Sequence, residues 1–192
     1  MIRLAIVGDI GSGKSYVAKQ FGYPVFNADA EVAKLYRKSR KCHNKLKKIL
    51  PNYITSFPVK KIELSKAIMA NQQNLKKIIK VVHPEVRNRM NNFIKKNRNK
   101  KIIILDIPLL MENKINGKKD ILVYVDAKKK EIKKRLIKRD NINLKIVKKF
   151  KKLQLPIELK KKQSDFIIKN NFKNNSIKKN VKRVLEKILL NA

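Results

Sequence analysis

The stretch Gly8-Asp9-Ile10-Gly11-Ser12-Gly13-Lys14-Ser15 decides the fold of this 192-residue chain. It has the G-x-x-x-x-G-K-[ST] spacing of a phosphate-binding P-loop. An apolar run over residues 4–7 precedes it and predicts a buried strand, while an amphipathic run over residues 16–21 predicts a helix after it. A strand, a glycine-rich loop and a helix in this order present backbone N–H groups where the helix dipole favours anions. We therefore expect an α/β protein that binds phosphate groups, most simply those of a nucleotide.

The side chains of the motif indicate how a nucleotide would be held. The glycines let the backbone wrap closely around phosphates. Lys14 would reach the β- and γ-phosphates, and the Ser15 hydroxyl would ligate Mg²⁺. The alternative is a chance match in an ordinary strand-to-helix turn, which the flanking strand and helix both argue against.

Composition sets the broad class. With 43% hydrophobic residues, the chain suits one globular domain with a full core. The single cysteine, Cys42, excludes an intrachain disulfide, and no apolar run is long enough to span a bilayer. Because the first predicted strand begins directly after Met1, we expect no signal peptide. We therefore expect a cytoplasmic protein with no membrane partner.

The formal charge of +36 is the main argument for a different function, a nucleic-acid-binding ATPase. The excess is mostly lysine, whereas planar phosphate and base contacts favour arginine. The lysines are spread over nearly every predicted helix, and their abundance together with isoleucine and asparagine indicates a chain-wide substitution bias. We expect no dedicated nucleic-acid partner, and a positive field that attracts small polyanionic substrates.

The apolar patterning predicts strands that alternate with helices. Expected strands occupy residues 2–7, 24–27, 102–105, 121–125 and 166–168. Expected helices occupy residues 14–21, 28–38, 42–50, 62–70, 72–98, 128–139, 143–153 and 176–190, with a boundary near His83-Pro84 because proline ends or kinks a helix. This alternation predicts a five-stranded parallel sheet with helices on both sides. The helical stretch from 42 to 98 is too long for one crossover and predicts a helical subdomain.

Two acidic residues follow predicted strands, at the sheet edge where ligands bind in parallel α/β proteins. Asp29, beyond residues 24–27, could accept a proton from an attacking hydroxyl or help hold Mg²⁺, and the alternative is a helix N-cap. Asp106, at the end of residues 102–105, could contact Mg²⁺ in the manner of a Walker-B acid. Its alternative is a loop residue that bonds the next turn.

Basic side chains form two further candidates. Arg135 and Arg139 lie one helical turn apart and could stabilise charge on a transferring phosphoryl group. The alternative for both is a solvated basic face. His83 and Arg87 lie on nearby faces around a helix boundary, although a lone histidine is more often structural. No cluster has metal-ligand spacing, so we expect no structural zinc.

Further motifs lie along the chain in a fixed order. Two are specific: His83-Pro84-Glu85-Val86-Arg87 and Asp106-Ile107-Pro108-Leu109-Leu110-Met111-Glu112. Others are the stretch Pro24–Asp29, Val123-Tyr124-Val125-Asp126-Ala127, Arg135 through Arg139-Asp140, Gln154, and the run Ser164-Asp165-Phe166-Ile167-Ile168-Lys169-Asn170. With the P-loop, the chain from Ile6 to about Asn171 resembles the dephospho-CoA kinase family.

The resemblance implies transfer of the γ-phosphoryl group of ATP, with Mg²⁺, to the ribose 3′-hydroxyl of dephospho-CoA, the last step of coenzyme A synthesis. It implies a P-loop kinase core over residues 1–41 and 99–192, and a helical substrate-side subdomain over about 42–98. It also implies a mobile lid near residues 139–154 that excludes water. We expect a monomer or a weak homo-oligomer. The alternative within enzymes is another small-molecule or nucleoside kinase of the P-loop class.

The same resemblance assigns residue roles. Asp29 matches the general base, which favours that role over the N-cap, and Arg139 matches a lid arginine near ATP. Leu109 and Leu110 match the apolar part of the substrate groove, and His83 and Arg87 match the substrate-side helical region. ATP is placed on Gly11, Ser12, Gly13, Lys14, Ser15 and Tyr16.

Among the departures from the family pattern, three lie at or near the predicted site. Asn27-Ala28-Asp29 stands where Asp-Ala-Asp is common, and it retains the aspartate expected to act. Asp9 stands where a second glycine is usual, and a carboxylate near phosphates is unfavourable unless it points away or is paired. Lys149 replaces a lid arginine, which keeps the charge but loses bidentate phosphate geometry.

Overall fold

The computed structural model describes residues 1–138 and 143–190, which divide into two compact units. Within these residues, unit 1 comprises residues 1–27, 97–138 and 143–190, and unit 2 comprises residues 28–96. In chain order the elements are β1 (Ile2–Gly8), α1 (Lys14–Gln20), β2 (Val25–Asn27), α2 (Ala28–Lys38), α3 (Arg40–Ile49), α4 (Lys61–Ala70), α5 (Gln72–Lys96), β3 (Ile102–Asp106), β4 (Ile121–Asp126), α6 (Lys129–Ile137), α7 (Leu144–Lys151), α8 (Ile157–Lys162), β5 (Phe166–Lys169) and α9 (Asn174–Leu190).

Unit 1 is built on a five-stranded sheet in the order β2-β3-β1-β4-β5. Every neighbouring pair is parallel, and Leu4 of the central strand is in register with Ile104 on one side and Ile121 on the other. All of β3 is buried, as expected of a strand covered on both faces, which therefore reads as a continuous apolar run. The predicted five-stranded parallel sheet is confirmed.

Helices α1 and α9 cover the sheet through the main hydrophobic core of unit 1. Val17 and Ala18 of α1 are fully buried. The predicted apolar face of α9 packs against the same core through Ile177, Val181, Val184 and Ile188. Each such side chain contributes about 1.5–3 kcal/mol when it leaves water. This packing fixes the start of α1, and with it the loop that joins β1 to α1.

Unit 2 consists of the four helices α2–α5, and α5 packs against the other three. The predicted boundary near His83-Pro84 is wrong, because α5 runs unbroken through Pro84. Pro84 cannot donate to the Lys80 carbonyl, but buried residues on both sides of it hold the helix in the core of unit 2; they are Leu75, Ile78, Val82 and Met90. Packing here outweighs the missing hydrogen bond.

Smaller differences from the predicted elements have local causes. Helix α3 begins two residues earlier than expected, where the Ser39 hydroxyl accepts a hydrogen bond from the Cys42 N–H (3.1 Å). The short helix α8, which begins after Pro156, was not predicted. The structure groups α2 with unit 2, whereas the sequence-based division began the helical subdomain at about residue 42. Among the described residues, no helix is both long and apolar enough to cross a membrane.

Candidate active site

The phosphate loop joins the carboxyl end of the central strand β1 to the first turn of α1, and its glycines are required by close contacts. Gly13 has φ of 90°, and a Cβ there would lie 2.5 Å from Nδ2 of Asn170. Gly11 has φ of 86°, and its Cβ would lie 3.0 Å from Ile132. Both conformations strain any residue with a side chain. The loop is therefore held close to β5 and α6 in a shape that only glycine permits.

Lys14 folds back over the loop that precedes it. Its Nζ donates to the carbonyl oxygens of Asp9 (2.9 Å) and Gly8 (3.2 Å). The Asp9 carbonyl also accepts from the Ser12 N–H (3.1 Å). Hydrogen bonds from a charged donor are stronger than neutral ones. The ammonium group predicted to reach the phosphates thus also fixes the shape of the loop that would hold them.

Asn170, at the end of β5, is a loop-supporting residue to which the sequence interpretation gave no role. Its side chain is almost fully buried. Nδ2 donates to the Ser12 carbonyl (2.7 Å), and Oδ1 accepts from the Phe172 N–H (2.7 Å). The sequence signal for this role is that Asn170 follows a short predicted strand, and so lies at the same edge of the sheet as the phosphate loop.

Ser15 and Asp106 are brought together by a third residue, Asn27 at the end of β2. The Asn27 Nδ2 donates to Oδ2 of Asp106 (2.5 Å) and to Oγ of Ser15 (3.3 Å). Asp106 is the last residue of β3 and is 2% exposed. Mg²⁺ prefers oxygen ligands and takes one or two carboxylates together with phosphates and waters. A hydroxyl and a carboxylate bound to one amide fit that ion.

The described residues contain no group of three or more histidine, cysteine or acidic side chains that could hold a metal. A magnesium site here would therefore depend on nucleotide phosphates for its remaining ligands. Ser15 and Asp106 were the predicted metal residues, and Asn27 was noted only as a departure from the family pattern.

Asp29 lies in unit 2, as the second residue of α2, and is exposed. The helix begins at Ala28, so Asp29 is inside the first turn and not at the N-cap position. A carboxylate in the first turn still interacts favourably with the helix dipole. The N-cap alternative is therefore not needed to explain this residue.

His83 and Arg87 lie one turn apart on α5 of unit 2. Burial, and then the charge of Arg87, lower the pKa of His83 below its usual 6.5. His83 is therefore neutral at physiological pH and can bond as donor or acceptor, while the exposed Arg87 carries the positive charge. Of these two, only Arg87 can supply a charge to an anionic substrate.

Leu109 and Leu110 lie in the turn after β3. Leu109 has φ of 57°, an uncommon conformation for a residue with a side chain. Its carbonyl accepts two hydrogen bonds from Asn113, from N (3.1 Å) and from Nδ2 (2.8 Å). Leu110 is 1% exposed. Leu109 is therefore the one of the pair that is accessible, and Leu110 anchors the turn.

A buried ion pair next to this turn was not predicted. The Lys160 side chain, 3% exposed, lies with Nζ 3.4 Å from Oε1 of Glu112. The same oxygen accepts from the Leu155 N–H (3.0 Å). Lys160 and Glu112 line a small cavity with Lys14 and Leu109. The pair connects α8 to the Asp106–Glu112 motif. The sequence signal for this contact is that Glu112 belongs to that motif.

The predicted lid arginine, Arg139, lies outside the described residues. Arg135, weighed with it as a phosphate ligand, places its guanidinium 4.5 Å from the centre of the Phe172 ring. This is cation–π distance. Tyr16, the last residue of the predicted ATP set, donates its hydroxyl to Oδ1 of Asn174 (2.9 Å) at the start of α9. Both contacts lie in unit 1. They connect Arg135 and Tyr16 to the segment of chain that follows β5.

A parallel sheet of this strand order, with a P-loop after its central strand and a hydroxyl and a carboxylate beside that loop, is typical of the P-loop class of nucleotide-binding proteins. The chain belongs to the dephospho-CoA kinase family, whose sequence model matches residues 2–177. It is thus an enzyme, a phosphotransferase of the family that carries out the last step of coenzyme A synthesis.

Individual relatives agree with this assignment. A dephospho-CoA kinase of Wolbachia pipientis is 33% identical over 198 aligned positions, which cover 98% of this chain and 99% of the relative. A Thermus thermophilus protein of known crystal structure matches with a TM-score of 0.75 at 28% identity, over 99% of this chain and 97% of that one. A dephospho-CoA kinase from Campylobacter jejuni shares the fold, with a TM-score of 0.63 at 22% identity and coverage of 97% and 96%.

Proposed function

We propose that this chain transfers the γ-phosphoryl group of ATP to the ribose 3′-hydroxyl of dephospho-CoA, and that the residues around the phosphate loop carry the reaction. The observation that carries the proposal is the Asn27 amide, which joins the Ser15 hydroxyl and the Asp106 carboxylate beside Lys14. The family supplies the identity of the acceptor.

The phosphates of ATP would lie on residues 11–16. Lys14, already held at the loop by two carbonyls, would turn its ammonium group to the β- and γ-phosphates. Ser15 and Asp106 would hold Mg²⁺, which when bound neutralises charge on the phosphate oxygens. Asn27 would keep these two oxygen ligands side by side.

Asp29 would orient the 3′-hydroxyl and accept its proton. The 3′-oxygen would then form a bond to the γ-phosphorus while the bond from that phosphorus to the bridging oxygen of ADP breaks, and ADP leaves. Asp29 follows Asn27 by two residues in the chain and matches the family's general base. A positioned base of this kind contributes about 10²–10⁴-fold to a rate.

The acceptor would contact Leu109 through its apolar part, with Leu110 supporting that turn. Arg87 would supply positive charge to the acceptor's phosphates, with neutral His83 beside it as a hydrogen-bonding group. Arg139 stays a prediction as the lid arginine near ATP. The positive field of the chain, +36 in formal charge, would speed the approach of both polyanionic substrates.

We propose that the acceptor is a small molecule and not a nucleic acid. We also propose that the enzyme is cytoplasmic and is a monomer or a weak homo-oligomer.

The choice of acceptor can be tested with purified protein and ATP. The kcat/KM for dephospho-CoA should be at least about a hundredfold above that for shikimate or deoxyadenosine, because a site that hydrogen-bonds one acceptor leaves polar groups unpaired when another acceptor binds. ATP hydrolysis should not rise on addition of DNA or RNA at moderate salt. Preference for another acceptor, or strong stimulation by nucleic acid, would contradict the proposal.

A further inference from the structure

Asp9 is the residue of the phosphate loop that phosphate binding alone does not explain, because its carboxylate repels phosphates. Its side chain is 13% exposed. Oδ1 accepts a hydrogen bond from the Ile10 N–H (2.7 Å). Oδ2 lies 3.5 Å from Nζ of Lys151, the last residue of α7. The charge of Asp9 is therefore paired with a cation from a helix distant in sequence.

The helix that carries Lys151 is not part of the buried core of unit 1. None of the residues of α7, all within the described part of the chain, is buried. The helix is rich in lysine, with Lys145, Lys148, Lys149 and Lys151. An element with few buried apolar contacts opens at a low free-energy cost. The ion pair between Lys151 and Asp9 is one of the contacts that attach α7 to the rest of unit 1.

The surroundings of Asp9 are strongly basic. A cavity of about 660 Å³ is lined by residues of α6, α7 and the chain that follows, together with Asp9. Its lysines are Lys129, Lys133, Lys148, Lys151 and Lys160. Lys160 is neutralised by Glu112, and among the described residues that line this cavity Asp9 is the one acid. Without Asp9, the like charges of α6 and α7 would repel each other across the cavity.

We propose that Asp9 is a positioning residue, which through Lys151 holds α7 against the phosphate loop before nucleotide binds. When the phosphates of ATP occupy the loop, their negative charge replaces that of Asp9 in neutralising the neighbouring lysines. Aspartate in place of the usual glycine thus supplies a negative charge that offsets the excess of lysine on α6 and α7. The replacement of the Asp9 charge by the phosphates of ATP rests on the proposed function. The contact between Asp9 and Lys151 in the nucleotide-free protein does not depend on it.

Amide hydrogen exchange of the peptide covering α7, in the nucleotide-free full-length protein, tests this directly. Asp9→Asn keeps an acceptor for the Ile10 N–H and removes the charge, and Lys151→Gln removes the partner. Each should lower the protection of α7 by about two- to fivefold, the range for a partly exposed ion pair. The double variant should lose no more than the larger single loss, and Lys151→Arg should retain most of the protection.

Lys148→Gln is the matched control, since it removes a lysine from the same helix and cavity without breaking the pair. It should leave the protection of α7 unchanged or raise it. In 0.5 M salt the wild type should approach the Asp9→Asn variant, because salt screens the pair. A saturating non-hydrolysable ATP analogue should bring Asp9→Asn close to wild type.

Unchanged protection in both Asp9→Asn and Lys151→Gln would overturn the proposal, as would an equal loss in Lys148→Gln. If the protection of α7 still differs between Asp9→Asn and wild type with the ATP analogue bound, phosphate charge does not replace that of Asp9, and this part of the proposal is overturned. Thermal unfolding checks that each variant folds, and Lys151→Gln on an exposed helix keeps the test decisive if Asp9→Asn does not. Failure to phosphorylate dephospho-CoA would reject the proposed function and leave the nucleotide-free result standing.

Discussion

Asn27 donates its side-chain amide to Asp106 at 2.5 Å, across the carboxyl ends of two neighbouring strands. The buried Asp106 carboxylate therefore has a neutral amide as its partner. This amide belongs to Asn27, a position at which an aspartate is common in the family. The amide thus places a hydrogen-bond donor, and not a second negative charge, beside the Asp106 carboxylate.

Asn27→Asp should destabilise the metal-free protein, because two carboxylates would then lie at hydrogen-bond distance. We expect a loss of about 1 kcal/mol, seen as a fall in Tm of about 2–4 °C. Added Mg²⁺ should restore more stability to this variant than to wild type, since a cation bridges the two acids. Thermal unfolding with and without Mg²⁺ measures both effects. Asn27→Ala, which adds no charge, is the control, and an equal Mg²⁺ response in Asn27→Asp and wild type would count against the metal site.

Gly13→Ala should disrupt the phosphate loop, while Gly22→Ala should cost stability alone. Both glycines have positive φ, 90° and 74°, so each alanine is strained by about 1–2 kcal/mol. Only at Gly13 would the new Cβ also meet Asn170, since a Cβ added at Gly22 would meet no atom within 4 Å beyond its chain neighbours. We expect Gly13→Ala to weaken binding of an ATP analogue at least about tenfold, or roughly 1.4 kcal/mol. Equal affinities for the two variants in titration calorimetry would contradict this account of the loop.

Glu63 should contribute stability to unit 2 that is lost in acid. Although partial burial raises its pKa, hydrogen bonds from Thr55, Ser56 and the Lys60 N–H hold that pKa at about 2, against 4.5 when unperturbed. Because the pKa is lower in the folded state, this stability is complete above pH 4.5 and is lost as the pH falls towards 2. The group is solvent-accessible, so we expect about 1 kcal/mol after screening.

Unfolding of Glu63→Gln and wild type between pH 2 and 6 measures that contribution. The two stabilities should differ above pH 4.5 and converge as the pH approaches 2. Glu186→Gln, at an exposed position of α9, is the control and should follow wild type throughout. A difference between wild type and Glu63→Gln that does not change with pH would show that the ionised carboxylate is not what stabilises this turn.

Asp29→Asn should abolish most turnover and leave ATP binding largely intact. Loss of a general base lowers kcat by about 10²–10⁴-fold, while the loss of one first-turn charge costs only about 0.3–1 kcal/mol of stability. Glu31→Gln is the matched control in the same turn. It breaks contacts with Lys34 (2.6 Å) and Arg89 (2.8 Å), so it should lower Tm more than kcat. Near-normal turnover in Asp29→Asn would remove the base assignment.

Sequence reasoning succeeded where the physical signal is local. The apolar run at residues 102–105 is a strand buried on both faces, and the P-loop spacing places Lys14 at the start of α1. It failed at Pro84, where the helix-breaking tendency of proline was outweighed by packing on both sides. Propensity is a weak prior, and tertiary contacts override it.

The contacts that shape the candidate site could not be read from the sequence because they join residues far apart in the chain. Asn170 to Ser12, Lys160 to Glu112 and Lys151 to Asp9 each depend on how helices and strands pack. In a chain so rich in lysine and asparagine, no local feature distinguishes these residues from their many exposed counterparts. Asp9 could be singled out only as a departure from the family pattern, since its partner lies on α7.

The central claim is phosphoryl transfer to the 3′-hydroxyl of dephospho-CoA, and the most direct measurement identifies the product of a reaction with purified wild-type protein, ATP and Mg²⁺. Mass spectrometry and NMR should find one coenzyme A for each ADP formed, with the new phosphate as a monoester on the ribose 3′-oxygen. ADP with inorganic phosphate and unmodified dephospho-CoA, or a phosphate at any other position of the acceptor, would contradict the claim.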